Sequence, residues 1–235
     1  MIRHEKVAVL ALCAAFCAPP ALAAAPKPAD PRLTEILAKF DAAQSTVKTL
    51  SAEFSEIREI GLLSEPVHST GHFYFTQPGD VRWEYQAPKR RVFLIRDEEL
   101  LAYFPDEKRA QKARIGLYQN RLMKMLGIGQ VSADLKKYYD ISLVGESQKE
   151  IALLLSPHAR SVKSRLSEVR IWIDPVLWLP ARMQYREDDG DTTTITFTRI
   201  EPNAVIADGT YRVELPADVK VEHGLSGFSP GKPSS

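Results

Sequence analysis

The feature that most constrains this chain is a long succession of short segments in which apolar and polar residues alternate. In one of them, Val81, Trp83 and Tyr85 alternate with Arg82 and Glu84. A period of two residues is that of a half-buried β-strand, because successive side chains point to opposite faces. Turn-forming Gly, Pro and Asp residues separate one segment from the next. The pattern therefore predicts a protein that is mainly β.

These segments predict about ten or eleven short strands. They lie at residues 52–59, 67–76, 81–85, 91–96, 100–104, 139–144, 150–156, 166–174, 180–187, 192–200 and 211–215. The strands at 180–187 and 192–200 are expected to pair as a hairpin across Asp188, Asp189 and Gly190. A meander of this length must curl into a sandwich or a barrel, and a closed sheet of about eleven strands leaves room for a ligand.

Helical patterns are fewer. Asp30 and Pro31 suit the N-cap and the first turn of a helix, and the apolar spacing that follows predicts a helix over residues 31–47. Leu and Met residues predict a second helix over 117–126, and a short third helix is expected over 132–138. The fold class is therefore mainly β with some α.

The N-terminus has the three parts of an export signal. Arg3 and Lys6 precede an apolar run from Val7 to Phe16, and residues 21–23 (ALA) form a small-x-small cleavage site. We therefore expect residues 1–23 to be a cleaved signal peptide. The apolar run is too short for a membrane anchor, which needs about 20 residues.

The remainder of the chain has no repeat or shift in composition that would mark a boundary. We expect a single domain over residues 24–223 and a flexible tail over 224–235. Both cysteines, Cys13 and Cys17, lie in the predicted signal peptide, so the mature chain is expected to have no disulfide. The net charge of +1 argues against a nucleic-acid partner. We expect a monomer.

Motifs of catalysis and metal binding are missing from the sequence. The five histidines have no metal-ligand spacing, and there is neither a phosphate-binding Gly-rich loop nor a GxSxG elbow. The acidic runs at 97–99 and 187–189 fall in predicted turns, where solvated carboxylates are the ordinary interpretation. We therefore predict no catalytic residue, no metal and no cofactor, and keep a β-barrel enzyme only as a remote alternative.

Three segments together resemble the periplasmic outer-membrane lipoprotein carrier family, LolA. Residues 71–88 (GHFYFTQPGDVRWEYQAP) have its glycine, aromatic strands and Pro-Gly turn; residues 171–203 resemble its Asp-containing turn and long hairpin; and 211–216 (YRVELP) resemble its last strand. The predicted helix leading into 50–54 (LSAEF) is also similar to the family's opening. The resemblance extends over about residues 31–221.

This resemblance implies an unclosed antiparallel β-barrel with a helical lid over a hydrophobic cavity. It implies a periplasmic carrier that binds the acyl chains of lipoproteins, receives them from an inner-membrane ABC-type release complex and delivers them to an outer-membrane acceptor lipoprotein. We then expect the cavity to be lined by a set of aromatic and aliphatic strand residues: Phe54, Phe73, Phe75, Trp83, Tyr85 and Leu94. Leu122, Met125 and Leu126 are expected on the lid.

One position departs from the family pattern. Gln77 stands where the family has an arginine that helps to hold the lid closed. An uncharged amide forms weaker hydrogen bonds than a guanidinium does, so the lid latch at Gln77 should be weaker. The alternative interpretation is therefore a related carrier or sensor for another acylated lipid, such as a glycolipid.

Overall fold

The chain, a computed structural model, is described over residues 30–116 and 131–224. It begins with helix α1 (Pro31–Thr46). The Asp30 side chain accepts hydrogen bonds from the backbone N–H groups of Arg32 and Leu33, and Pro31 fills the first turn. The buried side chains of α1 lie along one face, at spacings of one, three and four residues: Ile36, Leu37, Phe40 and Gln44. The predicted first helix is confirmed.

Twelve strands form one sheet in the described ranges. They are β1 (Thr49–Glu59), β2 (Val67–Thr76), β3 (Asp80–Ala87), β4 (Arg91–Arg96), β5 (Glu99–Phe104), β6 (Arg109–Arg114), β7 (Tyr139–Glu146), β8 (Ile151–Pro157), β9 (Leu166–Ile173), β10 (Pro180–Glu187), β11 (Thr192–Pro202) and β12 (Lys220–His223). Short helical pieces lie at Pro105–Glu107, at α2 (Ser132–Leu135) and at α3 (Arg160–Lys163).

The strand order is β12-β6-β5-β4-β3-β2-β1-β11-β10-β9-β8-β7. Two antiparallel meanders, β1 to β6 and β7 to β11, meet where β1 pairs with β11 and Phe54 stands opposite Phe197. Only the β12–β6 pair is parallel among the described strands. Because β12 and β7 end the order without pairing with each other, the sheet is an unclosed half-barrel. The expected fold class is confirmed.

The two faces of the sheet have different covers. The inner face, which carries Leu50, Phe54, Phe73 and Trp83, packs against α1 in one hydrophobic core. The outer face of β2 and β3 is crossed by the connection between β11 and β12. There the Arg82 guanidinium donates to the backbone oxygens of Thr210 and Arg212, at 3.0 and 3.2 Å.

Three details differ from the sequence-based expectation. Residues 211–215 form no strand, so that prediction was wrong; this segment lies over β3, where the Arg82 side chain binds the backbone oxygen of Arg212 and that of the preceding Thr210. Strands β6 and β12, which carry many charged residues, were not predicted. The helix expected over 132–138 ends at Leu135.

Several predicted segments lie outside the described residues: the signal peptide, the helix at 117–126 and the tail beyond Gly224. In the part of the chain that is described, no helix is both long and apolar enough to cross a bilayer. Within the same ranges, no group of three or more His, Cys, Asp or Glu residues is placed to hold a metal ion.

Candidate functional site

An aromatic cluster occupies the centre of the inner face. We define it by Phe54, Phe73, Trp83, Tyr85 and Phe197. The Phe54 ring lies 5.1 Å from Trp83 and 5.0 Å from Tyr85, measured between ring centroids. Phe73 meets Trp83 edge to face at 5.1 Å, and both rings lie 6.0 Å from Phe197. Such edge-to-face pairs add about 0.5–1.5 kcal/mol each beyond their burial, so the cluster is a strongly cohesive part of the core.

Strand register explains why these rings meet. Phe73 stands opposite Trp83 in the β2–β3 pair, and Gly71 stands opposite both Phe54 and Tyr85. A Cβ at Gly71 would lie 1.9 Å from the backbone oxygen of Glu84 and 2.8 Å from the Phe54 ring. Glycine therefore lets the Phe54 ring lie over the β2 backbone, which larger residues would prevent.

Helix α1 packs over part of the inner face. A cavity of about 20 Å³ remains. It is lined by Gln44, Val47, Leu50, Ala52, Phe73, Leu179, Pro180, Met183, Phe197 and Ile200. Ligand pockets usually measure about 300–1,000 Å³, so a sizeable apolar ligand can enter this cavity only by displacing side chains or the helix.

Polar contacts join α1 to the edge of the sheet and to α2. Arg32 pairs with Glu146 at the end of edge strand β7, with 3.0 Å between Nε and Oε2. The Asp41 carboxylate accepts hydrogen bonds from the backbone N–H and the hydroxyl of Ser132, at 2.5 and 2.7 Å, which joins α1 to α2. An exposed ion pair such as Arg32–Glu146 contributes about 0–1 kcal/mol, so burial of the apolar face of α1 contributes more than this pair does.

The inner face turns polar at the end of β1. We define this polar end by Glu56, Arg58, Ser69 and Thr193, which are all buried. The Tyr85 hydroxyl donates to Glu56 Oε2 at 2.7 Å. Burial, together with the negative charge of Glu56, raises the pKa of Tyr85 well above its ordinary value.

Tyr185 of β10 extends the polar end toward the second meander. It stands opposite Thr193, which in turn stands opposite Arg58. Burial, with a smaller contribution from Glu56, raises the pKa of Tyr185 to about 12. The sequence analysis missed this region, although strict alternation along β1 places Glu56 and Arg58 on the same face as Phe54.

Most of the predicted strand residues lie together on the inner face. Phe54, Phe73, Phe75, Trp83 and Tyr85 are buried in the core that includes α1. Their role in binding stays a prediction, because a closed core and a ligand cavity use the same residues.

Leu94 does not join that group. It stands opposite Arg82 in β3 and Leu101 in β5, which places it on the outer face. Strand β4 is apolar on both faces, so its alternation could not assign Leu94 to a side. The expectation that Leu94 lines the inner cavity was therefore wrong.

The predicted lid residues Leu122, Met125 and Leu126 lie outside the described residues. The predicted latch residue Gln77 is exposed and lies beside the link between α1 and β1. Its side-chain oxygen accepts from Lys48 Nζ at 3.2 Å, and its backbone N–H donates to the Lys48 oxygen at 2.8 Å. The latch at Gln77 stays a prediction, although its contact with the link between α1 and β1 is present.

Comparison with known sequences identifies the family. The profile of the family described as "Outer membrane lipoprotein carrier protein LolA" matches residues 45–214. This range contains strands β1 to β11 and the whole aromatic cluster. The chain belongs to the LolA family.

Individual relatives agree with this membership. An outer-membrane lipoprotein carrier protein of Chromohalobacter salexigens is 25% identical over 184 residues, which cover 76% of this chain and 83% of the relative. Its counterpart from Pseudomonas putida is 24% identical over 194 residues, or 81% of this chain and 84% of the relative.

A solved structure supports the fold alone. An uncharacterized conserved protein from Thermus thermophilus superposes with a TM-score of 0.53 at 14% identity, covering 82% of this chain and 99% of the other.

Proposed function

We propose that this LolA-family protein is a periplasmic carrier that binds the acyl chains of lipoproteins and delivers them to the outer membrane. The observation that carries the proposal is the apolar inner face, which shares one hydrophobic core with helix α1. The names of its relatives, which are outer-membrane lipoprotein carrier proteins, support the same role.

Acyl chains need a carrier because exposure to water is costly. Each buried methylene gains about 0.8 kcal/mol, so a chain of sixteen carbons gains about 13 kcal/mol. The cavity of about 20 Å³ cannot hold such a chain. In our proposal the core side chains fill the inner face when cargo is absent, and displacement of α1 exposes that face for loading.

A closed ground state also provides a route to release. A protein with two conformations responds to a partner that binds one of them more tightly. We propose that an inner-membrane ABC-type release complex favours the open state during loading, and that an outer-membrane acceptor lipoprotein favours the state that releases cargo. Cleavage of residues 1–23 during export would place the carrier between the two membranes.

The first test is to identify the natural cargo. The mature protein is purified from a host with inner and outer membranes and studied by native mass spectrometry and lipid analysis. We expect bound triacylated lipoprotein. Another acylated lipid would replace lipoprotein carriage with carriage of that lipid. An empty protein that also accepts no lipoprotein from inner-membrane vesicles would refute the proposal.

A matched pair of variants then tests the inner face. Ile200 lines the cavity and is only half-buried, so Ile200→Glu should fold while placing a charge where acyl chains must enter. Thr198→Glu adds the same charge on the same strand at an exposed position. We expect Ile200→Glu alone to lose lipoprotein uptake, with circular dichroism as the check on folding. Equal uptake by both variants would mean that the cargo binds outside the inner face.

A further inference from the structure

Exposed apolar residues are concentrated at one end of the half-barrel. Eight large apolar residues are exposed in the described ranges, and three of them, Ile57, Leu62 and Leu63, lie within the seven residues from 57 to 63. Leu62 is 97% exposed and Leu63 is 50% exposed. Single apolar residues scattered over a surface are normal, whereas a group of them often marks an interaction site. The group therefore requires an explanation outside the hydrophobic core.

The two exposed leucines lie on a tight turn between β1 and β2. The backbone N–H of Leu63 donates to the Ile60 oxygen at 2.9 Å, which closes the turn. At its base, the Gly61 N–H donates to the Asp191 carboxylate at 3.0 Å, which ties the turn to the β10–β11 connection. A turn that is already fixed loses little conformational entropy when its side chains bind a partner. We call this turn (residues 60–63) the apolar tip.

Charges of both signs surround the apolar tip. Glu59 ends β1 and Glu65 follows the tip, and both are exposed. Strand register brings the acidic β10–β11 connection (residues 187–191) to one side of the tip and the basic β3–β4 turn (residues 89–91) to the other. Two of the three cations in that turn have partners, one in an ion pair of 2.8 Å and one over the Tyr85 ring. The surroundings therefore have no dominant charge that would select a strongly acidic or basic partner.

The size of the apolar tip favours a membrane over a protein as its partner. A stable protein interface buries about 800 Å² on each partner and involves about 20–30 residues of each. Three side chains at one turn supply only a small part of that area. A bilayer needs no matching pocket, because apolar side chains enter its headgroup and acyl boundary to a depth of about 5–10 Å. Zwitterionic head groups carry an ammonium and a phosphate group, which match the mixed charges beside the tip.

We propose that the apolar tip inserts Leu62 and Leu63 into the surface of a bilayer of zwitterionic phospholipid and so docks the protein on the membrane. This docking goes beyond the proposed carrier function and is independent of the cargo, because the tip lies outside the core that α1 shares with the inner face. The attachment is weak and reversible, since it buries only a few side chains. A carrier that moves between two membranes needs an attachment of this kind.

The test measures flotation of the protein with vesicles of phosphatidylcholine and phosphatidylethanolamine that contain no lipoprotein. The chain is used without residues 1–23, because their apolar run would bind vesicles by itself. Leu62→Ser and Leu63→Ser remove the apolar side chains of the tip, separately and together. Val176→Ser is the matched control, since Val176 is 83% exposed in the β9–β10 turn at the opposite end of the sheet.

We expect the wild type to float with these vesicles and Leu62→Ser to bind them about tenfold more weakly. The double variant should lose detectable flotation, and Val176→Ser should match the wild type. Raising the salt concentration from about 0.1 M to about 1 M should change wild-type binding by less than about twofold, because salt screens charges and not apolar burial. All the changes are at exposed positions, so thermal unfolding should match that of the wild type.

Each of three other outcomes overturns the proposal. Absence of wild-type flotation, or equal flotation of the double variant and the wild type, would show that the tip does not enter the bilayer. Loss of wild-type flotation at high salt would assign the attachment to charged residues. A dimer in sedimentation velocity that Leu62→Ser dissociates would make the tip an interface between two copies of the chain.

A parallel measurement separates this proposal from the carrier function. Uptake of a synthetic tripalmitoylated lipopeptide is followed without vesicles, by displacement of an apolar fluorescent dye. We expect the double variant to take up the lipopeptide as the wild type does. A wild type that takes up the lipopeptide but does not float would keep the carrier function and lose the docking. A wild type that floats but takes up no lipopeptide would keep the docking and lose the carrier function.

Discussion

The segments that cover the two faces of the sheet are attached differently. Helix α1 covers the inner face, and the β11–β12 connection covers the outer face. On the outer face, Arg82 bonds to two backbone oxygens of the β11–β12 connection, and Thr76 and Tyr211 share a hydrogen bond of 2.8 Å. On the inner face, α1 rests on apolar side chains of the sheet, and the hydrogen bonds of Asp41 join it to Ser132 of α2 rather than to the strands beneath it.

This difference separates a fixed cover from one that can move. Directional hydrogen bonds to backbone groups fix one geometry, and their loss leaves buried groups unpaired. Apolar packing has no such direction, so another apolar surface can replace it. The inner face is therefore the side on which an acyl chain could exchange with a helix.

The largest expected effect comes from truncating one residue on each face. Phe73 is fully buried in the aromatic cluster, and Phe73→Ala should cost about 3–5 kcal/mol of unfolding free energy. Leu94→Ala on the outer face should cost about 2–5 kcal/mol. Urea unfolding measures the loss of unfolding free energy in both variants. At a temperature where both variants are folded, only Phe73→Ala should lose uptake of lipopeptide. Loss of uptake in Leu94→Ala would remove the functional distinction between the faces.

Arg82→Met tests the fixed cover. The change removes two hydrogen bonds to backbone oxygens and an ion pair with Glu84 at 2.8 Å, so we expect a loss of about 2 kcal/mol. Hydrogen exchange should show faster exchange at Thr210 and Arg212, while lipopeptide affinity stays constant. A change in affinity comparable to that of Phe73→Ala would show that the outer cover takes part in binding.

The pH dependence of stability tests whether the inner face is dry. The pKa of Tyr185 is about 12 in the folded protein, against about 10 for an exposed tyrosine, so the folded state keeps its proton to higher pH. Stability should therefore fall as pH rises from about 10 to 12, by up to about 2 kcal/mol from this group. In Tyr185→Phe, the free energy of unfolding should fall less over this pH range. Urea unfolding at each pH measures the difference. Parallel curves for the two proteins would mean that water reaches the inner face.

Asp41→Asn gives the smallest expected change in stability. The neutral side chain keeps the shape but weakens the hydrogen bonds from Ser132, so we expect a loss of about 1 kcal/mol. Stopped-flow dye release should be several times faster because α1 separates from α2 more readily. Glu35→Gln, on the exposed side of α1, is the control. Identical release rates in the two variants would argue that the Asp41 tie does not limit opening.

Much of the fold could be predicted from local patterns. The cap at Asp30 and the apolar spacing after it define α1, and the alternation in 67–76 and 81–85 defines β2 and β3. Strand β6 could not be predicted, because RAQKAR (residues 109–114) has the composition of a solvated loop. It becomes a strand because β5 offers an unpaired edge, and β12 then pairs with β6 for the same reason.

The candidate site was predicted in its apolar part only. Alternation is enough to place Phe54, Phe73 and Trp83 on one face, because side-chain direction follows the backbone period. Leu94 could not be assigned in the same way, since its strand is apolar on both sides and only the register with Arg82 decides its face.

The sequence by itself determined the β-rich class, the first helix and the aromatic alternation, because these depend on neighbours within a few residues. The tertiary structure alone decided three things: that Glu56 meets the Tyr85 hydroxyl, that α1 shares one core with the aromatic cluster, and that the two faces pack against different segments. Those properties depend on strand register and on which distant segments bury each face. They arise only when strands far apart in the chain are brought together.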